Sequence, residues 1–209
     1  MAGTTTAVLL AAGAGTRLGR GPKALLPFRG RPLIEHQIQV LRSGGCSSVL
    51  AVLGAGSEQV LATARLRDAR PMVNPDWQQG MGSSYRCGVA AALAGSARTV
   101  LVALVDQPGL TPDVVARLLA AAKPGRITSA GYRPGGTGAE LLRGHPVLFD
   151  AALAARTLDP AGAGMPGGAS DAGARAFLAA HPDLVDIIDC SDLANGRDVD
   201  TEADLVLLD

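Results

Sequence analysis

Aromatic residues make up only 3% of this 209-residue chain, so it lacks the stacking platforms on which single-stranded RNA or DNA is held. It has no surplus of charge either: 19 Lys and Arg balance 19 Asp and Glu, for a formal net charge of zero. A globally basic nucleic-acid binder is excluded, leaving room only for a local basic patch. Cysteine is scarce and scattered. Cys46, Cys87 and Cys190 form no C-x-x-C pair, so neither a disulfide framework nor a structural zinc site is expected, and all three read as packing residues in a reducing compartment. Long apolar runs are missing as well. Ala7–Ala12 spans six residues, and Met1–Thr6 before it carries no Lys or Arg. That is no signal peptide, and no run approaches the roughly 18 apolar residues of a membrane helix. The absences predict a soluble, cytoplasmic protein with neither membrane nor nucleic acid as partner.

What the chain does have is apolar and small. Hydrophobic residues are 47% and charged residues 18%, enough for the core of one large domain and too apolar for a disordered chain. Glycine (27) and proline (13) are in excess, and the excess is expected in loops. Thr6–Ala12 is a continuous apolar run stopping at Gly13, the mark of a strand buried on both faces. Pro32–Leu41 has helical spacing, Ser48–Leu53 is a second strand, and Ser57 is expected to cap a helix through Ala64. Pro71–Val73 is a short strand, Ser84–Leu93 an alanine-rich helix, and Thr99–Val105 the clearest central strand. Thr111-Pro112 supplies an N-cap with proline at the first helical position, opening a helix to about Ala122. Ile127–Tyr132 is a further strand and Pro146–Phe149 a short or edge one. Arg133–Glu140 and Thr157–Gly173, rich in Gly, Pro and Ala, break the pattern, as mobile loops over a crevice or as plain linkers. Strands alternating with helices imply an α/β fold, a mostly parallel sheet with helices on both faces, which binds ligands beyond the carboxyl ends of its strands.

Charge is balanced in sum but not in place. Gly13 to Arg31 holds five cations (Arg17, Arg20, Lys23, Arg29, Arg31) and no acid, whereas Asp183 to Asp209 holds nine acids against Arg197 alone. A basic, glycine-rich loop directly after the first strand suits a polyphosphate: glycines let backbone N–H groups approach the anion, and Arg and Lys supply charge. The acid-rich segment is either a solvated face or a source of hard oxygen ligands for the Mg²⁺ accompanying such an anion. Two familiar phosphate motifs do not fit. In Gly13-Ala14-Gly15-Thr16-Arg17-Leu18, Leu18 stands where a dinucleotide fingerprint wants Gly or Ala, and Glu35 lies in a helical pattern. Lys23 follows Pro22 and precedes Ala24, so there is no Walker A motif either.

The blocks that remain resemble a family. Leu10-Ala11-Ala12-Gly13-x-Gly15-Thr16-Arg17-Leu18-Gly19 followed by Pro22-Lys23-Ala24-Leu25-Leu26-Pro27 is similar to the signature of MobA-like nucleotidyltransferases. The similarity continues through Asn74-Pro75-Asp76-Trp77, Gly80-Met81-Gly82-Ser83-Ser84, Leu104-Val105-Asp106-Gln107-Pro108, Gly144-His145-Pro146, Asp171-Ala172-Gly173-Ala174-Arg175 and Asp198-Val199-Asp200-Thr201. Ala11-Ala12-Gly13 and Asp-Gln-Pro resemble the branch of molybdenum cofactor cytidylyltransferases. The resemblance implies a single nucleotide-diphospho-sugar transferase-like domain over 1–209, Rossmann-like, with an NTP-binding part at 1–110 and an acceptor-binding part at 111–209. It implies catalysis by Arg17, Lys23 and Asp106. It places the nucleotide on Leu10, Ala11, Ala12, Gly13, Gly15, Thr16, Arg17, Lys23, Asn74, Gly82, Ser83 and Asp106. Mg²⁺ or Mn²⁺ falls to Asp106 and Asp200, with Asp200 preferred to Asp198, and the acceptor to His145, Asp171 and Arg175. The implied substrates are CTP or GTP and a molybdopterin-type acceptor, and the implied recipient is a molybdoenzyme; monomer or weak dimer is expected. Three readings stand: CMP transfer, GMP or other NMP transfer to a phosphorylated acceptor, and a non-catalytic nucleotide-binding accessory protein. Trp77 is either core or a stacking surface, and His145 and Arg175 have structural alternatives.

Overall fold

The computed structural model describes residues 4–136, 138–159 and 174–209. In chain order the elements are β1 (Thr5–Ala11), a two-residue ribbon of β2 (Pro27–Phe28) and β3 (Arg31–Pro32), α1 (Leu33–Ser43), β4 (Ser48–Leu53), α2 (Ser57–Thr63), β5 (Arg70–Val73), α3 (Met81–Ala94), β6 (Thr99–Leu104), α4 (Pro112–Ala121), β7 (Ile127–Tyr132), β8 (Leu142–Asp150), α5 (Ala151–Leu158), α6 (Arg175–Ala180) and β9 (Val185–Asp189). Seven strands make one sheet in the order β5-β4-β1-β6-β8-β7-β9. All its pairings are parallel except those of β8, which runs antiparallel to both β6 and β7.

The continuous apolar runs are explained by burial on two sides. Alternate residues of β1 go to opposite faces: Ala7, Leu9 and Ala11 pack with Ile34, Ile38 and Leu41 of α1 and Val114, Val115 and Leu118 of α4. Val8 and Leu10 pack instead with Tyr85, Val89 and Ala92 of α3, joined by Leu153 of α5 and Phe177 of α6. The helix α3 comes unusually close to the sheet, since a Cβ at Gly88 would lie 2.3 Å from Val8 Cγ1. Thr111 caps α4 as expected, its Oγ1 accepting the Val114 N–H at 3.3 Å. Because β1 pairs with β6 through Leu10 and Leu104, and Val105 N–H donates to the Leu10 carbonyl at 3.1 Å, the chain leaves both strands side by side at one edge.

Four expectations need correcting. Ser57 is the first residue of α2 and not its cap; that place belongs to Gly56, whose φ of +62° suits glycine and whose Cβ would strike Pro22 Cγ at 2.5 Å. The strand at Pro146–Phe149 is neither short nor at an edge, but extends over Leu142–Asp150 in the sheet interior. Its proline is tolerated at a bulge, because residues 144–146 face Ala130 alone between the pairs Ser129↔Val147 and Gly131↔Arg143. Thr157 ends no loop but belongs to α5, where the Asp150 carboxylate caps the helix by accepting the Ala152 N–H at 2.9 Å. Finally, β9 lies in what reads as a purely acidic segment. Its carboxylates are paired: Asp186 with Arg126 and Lys123, Asp189 with Arg133, and farther on Asp192 with Arg117 and Asp204 with Arg197.

Candidate active site

The loop after β1 is a tight coil shaped by glycine. Gly15 has φ +62°, and a Cβ there would come within 2.3 Å of the Gly21 carbonyl oxygen, so the loop folds back on itself only with no side chain at 15. The Gly15 carbonyl accepts from both Leu18 and Gly19 N–H at 3.1 Å. Leu18, which spoils the dinucleotide fingerprint, is the loop's anchor: it is buried with Leu26, Phe28, Leu33 and Val199. Gly13, Thr16, Arg17 and Arg20 stay exposed at the mouth, while Leu10, Ala11 and Ala12 are buried beneath it.

Three segments remote in sequence meet beside this loop. The Lys23 ammonium donates to Asp106 Oδ2 at 2.7 Å and to Asp200 Oδ1, and Arg17 Nη1 lies 3.7 Å from the other Asp200 oxygen. Asp106 sits just past β6, and Asp200 arrives on a strap held down by Val199, whose N–H donates to the Asp106 carbonyl at 2.8 Å. Burial pulls the Lys23 pKa down, but hydrogen bonds and charge from the two carboxylates outweigh it and hold the value above that of an ordinary lysine. Two carboxylates converging on one cation also fit a hard divalent ion. Mg²⁺ characteristically takes one or two protein carboxylates and fills its shell with water and phosphate oxygens. Among the described residues no cluster of three or more His, Cys, Asp or Glu competes for this role.

The other expected residues fall into two groups. Asn74 and Ser83 are buried in a knot that fixes the start of α3. Both Asn74 amide hydrogens go to hydroxyls, Ser83 Oγ at 2.9 Å and Ser84 Oγ at 3.0 Å, while Asn74 Oδ1 accepts the Asp76 N–H at 3.0 Å. Gly82 is buried beside these side chains; Met81 is exposed and Trp77 half-exposed. Trp77 is thus not core: it lies over Gly54, where a Cβ would meet the Trp77 Cβ at 2.5 Å and the Ala12 Cβ at 2.8 Å. On the far side His145 is half-buried on β8, its carbonyl accepting from the Tyr132 hydroxyl at 2.8 Å. Burial pushes its pKa down to about 4, with Asp106 opposing and Arg143 and Arg175 assisting, so the ring is neutral at pH 7. Arg175 is exposed at the start of α6, and Asp171 lies outside the described residues. A groove of about 510 Å³ lined by Arg42, Arg67 and Arg70 lies at the opposite, amino-terminal edge of the sheet and shares no residue with this cluster. Sequence reasoning gave no role to Gln37, Gln107, Gly196 or Val199, although Gln107 stood in view between Asp106 and Pro108.

The sheet carries a glycine-rich loop and a lysine–dicarboxylate cluster at its carboxyl edge, and the comparisons with known proteins make its class a nucleotidyltransferase. The model of the MobA-like NTP transferase domain matches residues 7–185, and the chain belongs to that family. Nicotine blue oxidoreductase of Paenarthrobacter nicotinovorans is 54% identical over 196 residues, covering 94% of this chain and 92% of that one. The bifunctional protein GlmU of Rhodospirillum rubrum is 34% identical over 135 residues, which is 62% of this chain but only 29% of GlmU. Among solved structures, Rv0371c of Mycobacterium tuberculosis H37Rv superimposes with a TM-score of 0.76 at 26% identity, covering 99% of this chain and 97% of the other. A complex of the same protein with manganese gives a TM-score of 0.72 at 23% identity, with 98% coverage of both chains. No helix among the described residues is long and apolar enough to cross a membrane.

Proposed function

We propose that this nucleotidyltransferase moves CMP from CTP to the terminal phosphate of a molybdopterin-type acceptor. The observation that carries the reading is the Lys23 ammonium between Asp106 and Asp200, directly beside the Gly13–Arg17 turn. An acceptor phosphate oxygen attacks the α-phosphorus, the bond to the β-phosphate bridging oxygen breaks, and pyrophosphate leaves. A phosphate monoester has its second pKa near 6, so the nucleophile is already dianionic at pH 7 and no general base is needed. That suits a crevice whose histidine, His145, is a weak base. The difficulty is assembling anions, and positioning and charge neutralisation answer it.

In this reading Gly13, Gly15, Thr16 and Arg17 cradle the β- and γ-phosphates, and Arg17 and Lys23 counter charge on the α-phosphate and the leaving pyrophosphate. Leu10, Ala11 and Ala12 meet the base through their backbone, and Asn74, Gly82 and Ser83 set the wall beside the ribose. Asp106 and Asp200 would hold Mg²⁺ or Mn²⁺, which would supply neutralisation of the triphosphate charge; the manganese complex of Rv0371c supports the metal class. His145, Asp171 and Arg175 line the acceptor side. The chain works in the cytoplasm as one domain, with 1–110 for the nucleotide and 111–209 for the acceptor.

Base choice is a matter of pocket shape, and GTP is the alternative donor. A second reading rests on one observation, the 54% identity with a protein named as an oxidoreductase of nicotine blue. On that reading the same loop holds the phosphates of a reduced nicotinamide nucleotide, and the lysine–dicarboxylate cluster has no chemical part. Two assays separate the readings: pyrophosphate release from CTP or GTP with Mg²⁺ and acceptor, and bleaching of nicotine blue with NADH or NADPH. A thermal-shift panel of CTP, GTP, ATP and UTP, each with Mg²⁺ and with EDTA, comes first. A ligand at about one hundred times its Kd adds roughly 2.7 kcal/mol to the folded state. Metal-dependent stabilisation by CTP with pyrophosphate release supports CMP transfer, the same result with GTP moves the donor to GTP, and dye bleaching that persists in Asp200→Asn replaces both with the oxidoreductase.

A further inference from the structure

Gln37 is wholly buried in α1, yet its side-chain oxygen has no hydrogen-bond partner among the described residues. An amide in an apolar core with an unsatisfied oxygen costs free energy that leucine or methionine would not. Its other end shows what it is placed for: Gln37 Nε2 donates to the backbone carbonyl of Gln107 at 2.6 Å. Gln107, itself buried, reaches across to the strap that carries Asp200. Its Nε2 donates to Asp198 Oδ1 at 2.7 Å and to the Gly196 carbonyl at 3.3 Å. The strap is stapled at that point by shape as well, because Gly196 has φ +65° and a Cβ there would lie 2.2 Å from the Tyr132 ring. Three residues further, the Val199 N–H bonds the Asp106 carbonyl, and then Asp200 meets Lys23.

We propose that Gln107, held by Gln37, is the positioning residue that delivers Asp200 to Asp106, and that Asp198 is its anchor on the strap and not a metal ligand. The proposal rests on the reading of Asp106 and Asp200 as the metal-holding pair. Asp106, Gln107 and Pro108 are consecutive, so the residue that places the second carboxylate is fixed to the first. Any shift of the end of β6 moves both carboxylates together, which keeps their separation constant.

The test measures Mn²⁺ alone, titrated into the full chain and followed by the electron paramagnetic resonance of the free ion, with a melting temperature for every variant. Removing the partner that orients a metal ligand costs roughly tenfold or more in affinity. Gln107→Leu and Asp198→Ala are each expected to raise the Mn²⁺ Kd about tenfold, and Asp198→Asn, which keeps an oxygen to accept from Gln107, to restore it. Asp200→Asn is expected to weaken Mn²⁺ binding by itself, and Gln107→Leu added to it should do no further harm. Mn²⁺ binding by Asp200→Asn equal to that of the unaltered chain overturns the metal reading, and the proposal with it. Loss in Asp200→Asn with none in Gln107→Leu or Asp198→Ala overturns the positioning role alone. Equal loss in Asp198→Ala and Asp198→Asn makes Asp198 a ligand and overturns its anchor role. Asp198 is exposed, so its two variants carry the test even where Gln107→Leu fails to fold.

Discussion

The molecule pairs Lys or Arg with Asp in two quite different ways. At the outer edge, Arg117–Asp192, Arg126–Asp186 and Arg133–Asp189 join β9 and the segment after it to neighbouring elements. At the carboxyl edge, Lys23 joins Asp106 and Asp200, with 14% of the lysine side chain exposed against 35%, 32% and 32% for Arg117, Arg126 and Arg133. The residue types are the same, but solvent is not. An exposed pair is screened by water and salt and gives up side-chain freedom to form, so it adds little. Within the inner set Lys23 and Asp106 are shielded, and each of these two charges depends on the other, since removing one leaves its partner partly desolvated. A charge is therefore a site only where the fold has limited water.

That contrast can be tested by substitution. Lys23→Ala is expected to have the largest effect, lowering turnover by about 10²–10³ while circular dichroism shows an intact fold; normal turnover would remove Lys23 from the chemistry. Gly15→Ala comes next. It forces a side chain into the left-handed region against the Gly21 carbonyl, and is expected to cost about 1–3 kcal/mol of stability and to weaken nucleotide binding in the same preparation, measured by urea unfolding and by thermal shift. Retained binding would show that the loop backbone does not hold the phosphates. At the small end, Arg117→Ala and Arg126→Ala should leave turnover unchanged and the melting temperature insensitive to added salt. A turnover defect in either would erase the distinction between the two sets.

Much of the frame was legible because parallel strands covered on both faces are written as unbroken apolar runs. Ser48–Leu53 and Ile127–Tyr132 come out with the same boundaries, and β1 and β6 within one residue. The strand β9 was hidden because Asp186 and Asp189 interrupt it, and their arginine partners are 60 and 56 residues away. The extent of β8 was hidden by Pro146, whose bulge depends on the facing strand. At the site, the order of glycines and cations after β1 made the loop a candidate for a polyphosphate, and the family resemblance singled out Asp106 and Asp200, which the fold brings together at Lys23. Neither gave the partnership of Gln37 with Gln107, which runs through a backbone carbonyl 70 residues distant. Nor could local pattern tell that Asn74 points into a knot of hydroxyls. Sequence shows which groups are available; partners so far apart in the chain are chosen by the tertiary fold.

The strap bearing Asp200 has a consequence in time. Its contact with Lys23 closes a span of 177 residues, and contacts of such separation are the slow ones in folding. A chain emerging from the ribosome completes its first strands and the glycine loop long before the strap exists. The glycine loop is thus present early, but Lys23 meets both carboxylates only once the strap has been made. A chain cut before the strap keeps the glycine loop, Lys23 and Asp106 but lacks Asp200, and on the proposed reading it is expected to be inactive.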